Sequence, residues 1–336
     1  MNLLFGRPKR QPNPPEPPKH PFGFFIDVFS HCNLRCPSCL VGNKFGNTSE
    51  WPKGLMSVKT LDQILEKATR ECTVQWVSLF NWTEPLLHPN IVELIGTVKK
   101  YGIPVSLSSN LNVLRDPEAL LAANPNFLRI SLSGFTQAVY ERGHRDGDIE
   151  IVKKNMVALA KARTSSSSVT HVEVFFHKYA YNLHELDAMK SFSEGLGFQF
   201  TAFLAQIYPV EKIIAIAKGS VTDADREVLD ALALPLDQAL SFTAAKGFSS
   251  CTLLDDQVAI DVNGNVAICC AASMDRSNSV GNFLTTPLAE IQRLRNSHAL
   301  CGSCMELGIP DYLKSQPEFE GIAAASVAHR AAAATR

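Results

Sequence analysis

Phe24-Phe25-Ile26-Asp27-Val28-Phe29-Ser30-His31-Cys32-Asn33-Leu34-Arg35-Cys36-Pro37-Ser38-Cys39 is the stretch that decides how this chain folds. Its first half is an apolar strand. Its second half is a loop with three cysteines spaced Cys32-x3-Cys36-x2-Cys39. On so short a loop three thiolates can converge on one metal centre. A cubane iron–sulfur cluster has four irons, so three protein ligands leave one iron open for chemistry. Two plainer readings compete. A disulfide framework fits poorly, because three neighbouring cysteines cannot all pair and no secretory context is visible. A zinc knuckle normally closes with four ligands drawn from two pairs.

Placed directly after a strand, this motif resembles that of the radical S-adenosylmethionine (radical SAM) enzymes. The resemblance implies that Cys32, Cys36 and Cys39 are catalytic ligands of a [4Fe–4S] cluster. The open iron would chelate the amino and carboxylate groups of S-adenosyl-L-methionine (SAM), and the reduced cluster would cleave SAM to a 5′-deoxyadenosyl radical. A flavodoxin- or ferredoxin-type reductant is the implied electron donor. Ser38 stands where the family often has an aromatic residue.

A chain of 336 residues can hold one large domain, or a medium domain with a small one. Lys plus Arg number 32 against 33 Asp plus Glu, and the net charge of −1 argues against nucleic acid as a partner. Nine cysteines, an odd number in two main groups, suggest metal ligation in a reducing compartment. The apolar run Ile213 to Ala217 is far too short for a membrane span. Arg7, Lys9 and Arg10 have no apolar segment behind them, so no signal peptide is expected. A cytoplasmic location is the expectation.

Residues 1–21 are rich in proline and are expected to form an extended arm. From Phe22 strands alternate with helices. Strands are expected at Phe24–Val28, Val74–Phe80, Ile103–Ser108, Phe127–Leu132, Val172–Phe176 and Phe198–Phe203. Helices are expected between them, the first capped by Ser57. Six such units imply a parallel α/β sheet. The family resemblance implies the same, a partial (β/α)6 barrel over 22–209. A helical connector is expected over 210–247, a small hairpin-plus-helix domain over 248–318, and a flexible tail over 319–336.

Ligands in such folds bind at the carboxyl ends of the strands, and polar residues cluster there. Asn81-Trp82-Thr83-Glu84-Pro85 follows the second strand and shares its Glu-Pro end with the family's Gly-Gly-Glu-like motif, which binds the SAM ammonium. A carboxylate such as Glu84 can pair with an ammonium group. Ser109 and Asn110 end the third strand, and Ser131-Leu132-Ser133-Gly134 ends the fourth. By resemblance these hold the SAM ribose and carboxylate, with Arg142 or Arg145 as a forked donor. His177, Tyr179 and Asn182 follow the fifth strand as further candidates, with solvated loop residues as the plainer account.

The second cysteine group is Cys251-x17-Cys269 followed by Cys301-x2-Cys304. Residues 258–268 alternate around Asn263-Gly264, a strong hairpin signal that sets Cys269 on a returning strand. The segment Cys251-x12-Gly264-x4-Cys269 resembles the start of the SPASM domain. No cysteine follows Cys304, so the resemblance is to its truncated twitch form, which implies one auxiliary [4Fe–4S] cluster on Cys251, Cys269, Cys301 and Cys304. Structural zinc is the rival for this ligand set. Cys270 and Cys72 are left over and are expected in the core.

The function expected from these motifs is abstraction of hydrogen from an unactivated C–H bond. The favoured outcome is oxidation of a small hydroxylated or cyclitol-like molecule, with the auxiliary cluster as electron acceptor. The alternative is radical modification of a peptide or protein, against which no N-terminal leader-binding domain is evident. A non-catalytic iron–sulfur carrier or zinc-stabilised binding module is the reading from another class.

Overall fold

The computed structural model describes residues 19–46, 48–246, 250–314 and 317–334, so almost all of the Pro-rich arm lies outside the described residues. The strands are β1 (Pro21–Ile26), β2 (Thr73–Ser78), β3 (Val105–Ser109), β4 (Phe127–Leu132), β5 (His171–Lys178), β6 (Gln199–Leu204), β7 (Gln257–Ile260), β8 (Asn265–Ala267) and β9 (Ser279–Asn282). They form one sheet in the order β6-β5-β4-β3-β2-β1-β7-β8-β9, with β6 and β9 as unjoined edges. The first six strands pair in parallel, each beside the next. This is the expected partial barrel.

The helices obey local signals. Ser57 caps Val58–Glu71 by accepting from the Thr60 amide, Asp148 caps Ile149–Ser165, and Thr222 and Asp225 form a reciprocal capping box on Asp223–Ala231. Along β4 and β5 one face carries Leu128, Ile130, Leu132, Val172, Val174 and Phe176, all buried in the main apolar core. The opposite face carries Arg129, Ser131, Glu173, Phe175 and His177, as strand alternation requires. That second face and the carboxyl ends of the strands frame the site.

Two expectations change. The C-terminal hairpin does not stand apart, because β7 pairs in parallel with β1 from Gly23↔Gln257 to Ile26↔Ile260. An open barrel leaves the outer edge of β1 unpaired, and β7 satisfies its backbone groups. The segment expected as a flexible tail is a helix, Glu318–Ala334. Its alanine run reads as low complexity yet is the best helix-forming composition. Phe319 and Ala323 are buried, and Phe319 packs against Phe242 with ring centroids 5.9 Å apart. No helix among the described residues is long and apolar enough to cross a membrane.

Candidate functional site

The loop after β1 carries Cys32, Cys36 and Cys39 at the carboxyl end of the sheet. Cys39 N donates to Cys36 O at 3.1 Å, and Leu34 N donates to Cys32 Sγ at 3.5 Å. Gly42 folds back onto this turn so closely that a Cβ there would lie 2.0 Å from Cys36 O; only glycine permits that approach. Burial holds all three thiols protonated, with Cys32 pushed up to about 12 and Cys36 and Cys39 also raised. Their mutual repulsion adds to the effect. A cationic metal centre is what lets such thiols ionise.

Glu84 is the hub beside them. It is buried at 3% exposure, and its N–H donates to His31 O at 3.1 Å. Its carboxylate accepts from Leu86 N at 3.0 Å and from Asn110 N at 2.8 Å. Burial raises its carboxyl to about 7 despite these donors. Asn110 Nδ2 reaches Cys32 Sγ at 3.7 Å and Asn33 Oδ1 at 2.9 Å. Ser109 is buried and caps the turn at Leu111 N, 2.9 Å. The structure therefore brings Cys32, Glu84, Ser109 and Asn110 into one contact set. The Ser109 side chain also hydrogen-bonds the Glu84 carboxylate.

The other expected residues divide. Ser133 is fully buried, with its Oγ 2.7 Å from His144 Nδ1. Burial lowers His144 to about 4, so this imidazole is neutral. Arg142 lies over the Tyr181 ring at 3.8 Å from its centroid and lines a cavity of about 600 Å³ together with Pro37, Ser38, Arg145 and Tyr179. Arg145 pairs with Glu227 at 3.2 Å and takes the Arg35 N–H on its carbonyl. Asn81 stands apart from the Glu84 set; its side chain lines a crevice with Ile260 and Asp261. Asn182 is consumed in pinning loops, through Ser133 O, His177 O and Tyr179 N. His177 is half-buried beside His144 and Phe203.

One contributor, Asp27, escaped the sequence reading, and Tyr179, already a candidate, has a contact the sequence did not show. Asp27, the one acid in the apolar β1 stretch, accepts from Asn81 N, Trp82 N, Thr83 N and Thr83 Oγ1 at 2.7–3.1 Å. It welds the loop after β2 to the end of β1, and a carboxylate inside an apolar strand was the available signal. Burial still raises it to about 6. Tyr179 bonds Ser38 Oγ at 2.8 Å and so brings an aromatic side chain against the cysteine loop where the sequence has only serine.

The second thiol group gathers from three segments. Cys251, Cys269, Cys301 and Cys304 line one cavity of about 340 Å³, otherwise walled mainly by Val210, Leu253, Ile268, Leu300 and Leu313. Cys269 lies two residues past β8, not on it. Cys270 turns the other way, with its Sγ donating to Gln257 Oε1 at 3.2 Å. All nine cysteines are free. Among the described residues no three His, Cys, Asp or Glu side chains are placed to hold a single metal ion. Thiolates are the donors that iron–sulfur clusters take, and the donor set at both places is of that kind.

Residues 26–182 match the model of the radical SAM superfamily, and residues 251–305 match that of the iron–sulfur cluster-binding SPASM domain. Residues 26–182 form a radical SAM domain and residues 251–305 a SPASM domain. Its cofactors are accordingly SAM and two [4Fe–4S] clusters. Two curated relatives are similar in sequence. One is the tungsten-containing aldehyde ferredoxin oxidoreductase cofactor-modifying protein of Pyrococcus furiosus, 28% identical over 92 residues, which are 27% of this chain and 24% of that protein. The other is the cysteine-type anaerobic sulfatase-maturating enzyme of Clostridium novyi, 23% identical over 253 residues, covering 72% of this chain and 65% of that enzyme. The chain thus spans less than two thirds of either relative. Among solved structures, Streptococcus suis SuiB bound to precursor peptide SuiA shares the fold at a TM-score of 0.55, with 13% identity over 87% of this chain and 71% of that one. Native anSMEcpe with bound AdoMet gives 0.54, with 15% identity over 86% and 84%.

Proposed function

We propose that this radical SAM enzyme modifies a peptide or protein. The observation that carries the reading is the 253-residue similarity to a sulfatase-maturating enzyme, longer than the radical SAM match over 26–182. Supporting it, two peptide-bound relatives, SuiB with SuiA and anSMEcpe with the Cp18Cys peptide, share the fold over 87% and 93% of this chain. The small-molecule oxidation expected from the four-cysteine pattern gives way to this alternative.

In this reading residues 22–209 form the catalytic barrel, 210–247 connect, and 248–318 hold the auxiliary cluster. Cys32, Cys36 and Cys39 ligate the first cluster, and Cys251, Cys269, Cys301 and Cys304 the second. When bound, the first cluster and SAM supply a 5′-deoxyadenosyl radical that takes hydrogen from an unactivated C–H bond. The protein's own share is placement. Glu84 offers its carboxylate to the SAM ammonium, with Asn110 and Ser109 fixing the turn beside it. Neutral His144 holds the Ser133 hydroxyl, and Arg142 presents a guanidinium to the cavity at Ser38. Asn81 contributes through its backbone bond to Asp27. A flavodoxin- or ferredoxin-type protein supplies the electron.

The test is anaerobic incubation of the reconstituted chain with reductant, SAM and either cysteine-containing peptides or polyhydroxylated small molecules. Peptide-dependent 5′-deoxyadenosine and a mass change in the peptide are expected. Stimulation by the small molecules alone would overturn the reading.

A further inference from the structure

Beside three of the four C-terminal thiols, Cys251, Cys269 and Cys301, lies a buried cationic side chain. Arg295 is fully buried, at 0% exposure, on the helix Leu288–Asn296, where it continues the buried stripe of Leu288 and Ile291. An apolar side chain would serve that position for packing alone, and a buried guanidinium is costly unless a negative charge answers it. Its Nε donates to Ile268 O at 2.6 Å, Nη1 to Gln292 Oε1 at 2.5 Å and Nη2 to Leu253 O at 3.1 Å. All three acceptors are neutral. The groups within electrostatic reach are Cys269, Cys270, Cys301 and Cys251.

The same contacts fix the surrounding chain. Ile268 precedes Cys269, Leu253 lies two residues beyond Cys251, and Cys301 Sγ donates to Arg295 O at 3.7 Å. Its guanidinium therefore ties the Cys251 and Cys269 segments together, and its backbone carbonyl meets the Cys301 thiol. While the thiols are protonated its charge is unanswered; once they are thiolates on a cluster it is balanced. A cluster held by four thiolates gains a further negative charge on reduction, and a fixed cation in a low-dielectric site favours that state.

We propose that Arg295 is the built-in counter-charge of the auxiliary cluster, and that it raises the reduction potential of that cluster. The proposal rests on the ligand assignment given under the proposed function. Two variants separate charge from clamping. Arg295→Gln removes the charge, and Gln292→Glu leaves Arg295 in place but neutralises it from the side chain it already touches. Each is compared with the parent by redox titration followed by electron paramagnetic resonance on the reconstituted full chain, with the first cluster as internal reference. In both variants the reduced-to-oxidised ratio of the auxiliary cluster at fixed potential is expected to fall at least about tenfold, which is about 59 mV for one electron. The first cluster stays unmoved. Arg295→Lys, which keeps the charge and loses the fork, is expected to stay close to the parent potential even where its iron content falls.

An auxiliary potential unchanged in Gln292→Glu, and in whatever Arg295→Gln loads, would overturn the proposal and leave Arg295 a clamp. A parent with only about four irons, or with zinc, would instead overturn the ligand assignment, and the proposal with it.

Discussion

The two thiol groups of this chain are built in opposite ways. Cys32, Cys36 and Cys39 come from a single turn, and polar donors and acceptors from the next strands, Glu84 and Asn110 foremost, stand beside them. Cys251, Cys269, Cys301 and Cys304 come from three separated segments and face an apolar cavity, with Arg295 as the counter-charge. The first arrangement leaves a side open to a ligand. The second sets its thiols among apolar side chains. The contrast teaches that coordination number is set by where the chain places a fourth donor, and that neighbouring polarity then decides between chemistry and electron storage.

The largest effect expected from this contrast is on SAM cleavage. Cys36→Ala should drop 5′-deoxyadenosine formation to background by chromatography. Cys269→Ala should lose about four irons and peptide modification while SAM cleavage continues. Equal loss of cleavage in both would erase the distinction. Next, Glu84→Gln places an amide against the N–H groups of Leu86 and Asn110. SAM affinity by equilibrium binding should fall about 10–100-fold, the scale of losses around ligand shells, with auxiliary iron intact.

A stability effect follows from Asp27. Its carboxyl is raised by burial from 3.8 to about 6, so the folded state binds more protons than the unfolded state between those values. Stability from this group is therefore present below the lower value and lost as pH rises through the higher one. Urea titrations of the metal-free parent against Asp27→Asn should show a difference that changes by about 2 kcal/mol between pH 4 and 7. A parallel pair of curves would contradict it. Smallest is Tyr179→Phe, which removes the bond to Ser38 and should cost about 1 kcal/mol by the same titrations.

What could be read in the sequence was what neighbouring residues decide. The Cys32-x3-Cys36-x2-Cys39 turn, the Ser57 and Thr222 caps, the Asn263-Gly264 hairpin and the order of β1 to β6 all follow from short-range spacing. What could not be read depends on partners far along the chain. Asp27 finds its donors 54–56 residues away, and β7 finds β1 across more than 200 residues. The helix Glu318–Ala334 was hidden because alanine runs carry no amphipathic period, and its anchors in the core, Phe319 and Ala323, are few. Arg295 left a trace, an arginine in register with Leu288 and Ile291, which reads as a surface residue until its burial is known. Around Glu84 the sequence named Ser109 and Asn110, which the structure places in contact with it, and Asn81, whose backbone N–H bonds to Asp27.

The measurement that tests the central claim most directly is iron and sulfide content with Mössbauer spectra. It is made on the anaerobically reconstituted parent, on the Cys32/Cys36/Cys39→Ala variant and on the Cys251/Cys269/Cys301/Cys304→Ala variant. Two separate cubane clusters require about eight irons in the parent and about four in each variant, with different spectra for the two survivors. About four irons in the parent, none in the first variant and zinc in place of the second cluster would contradict the account.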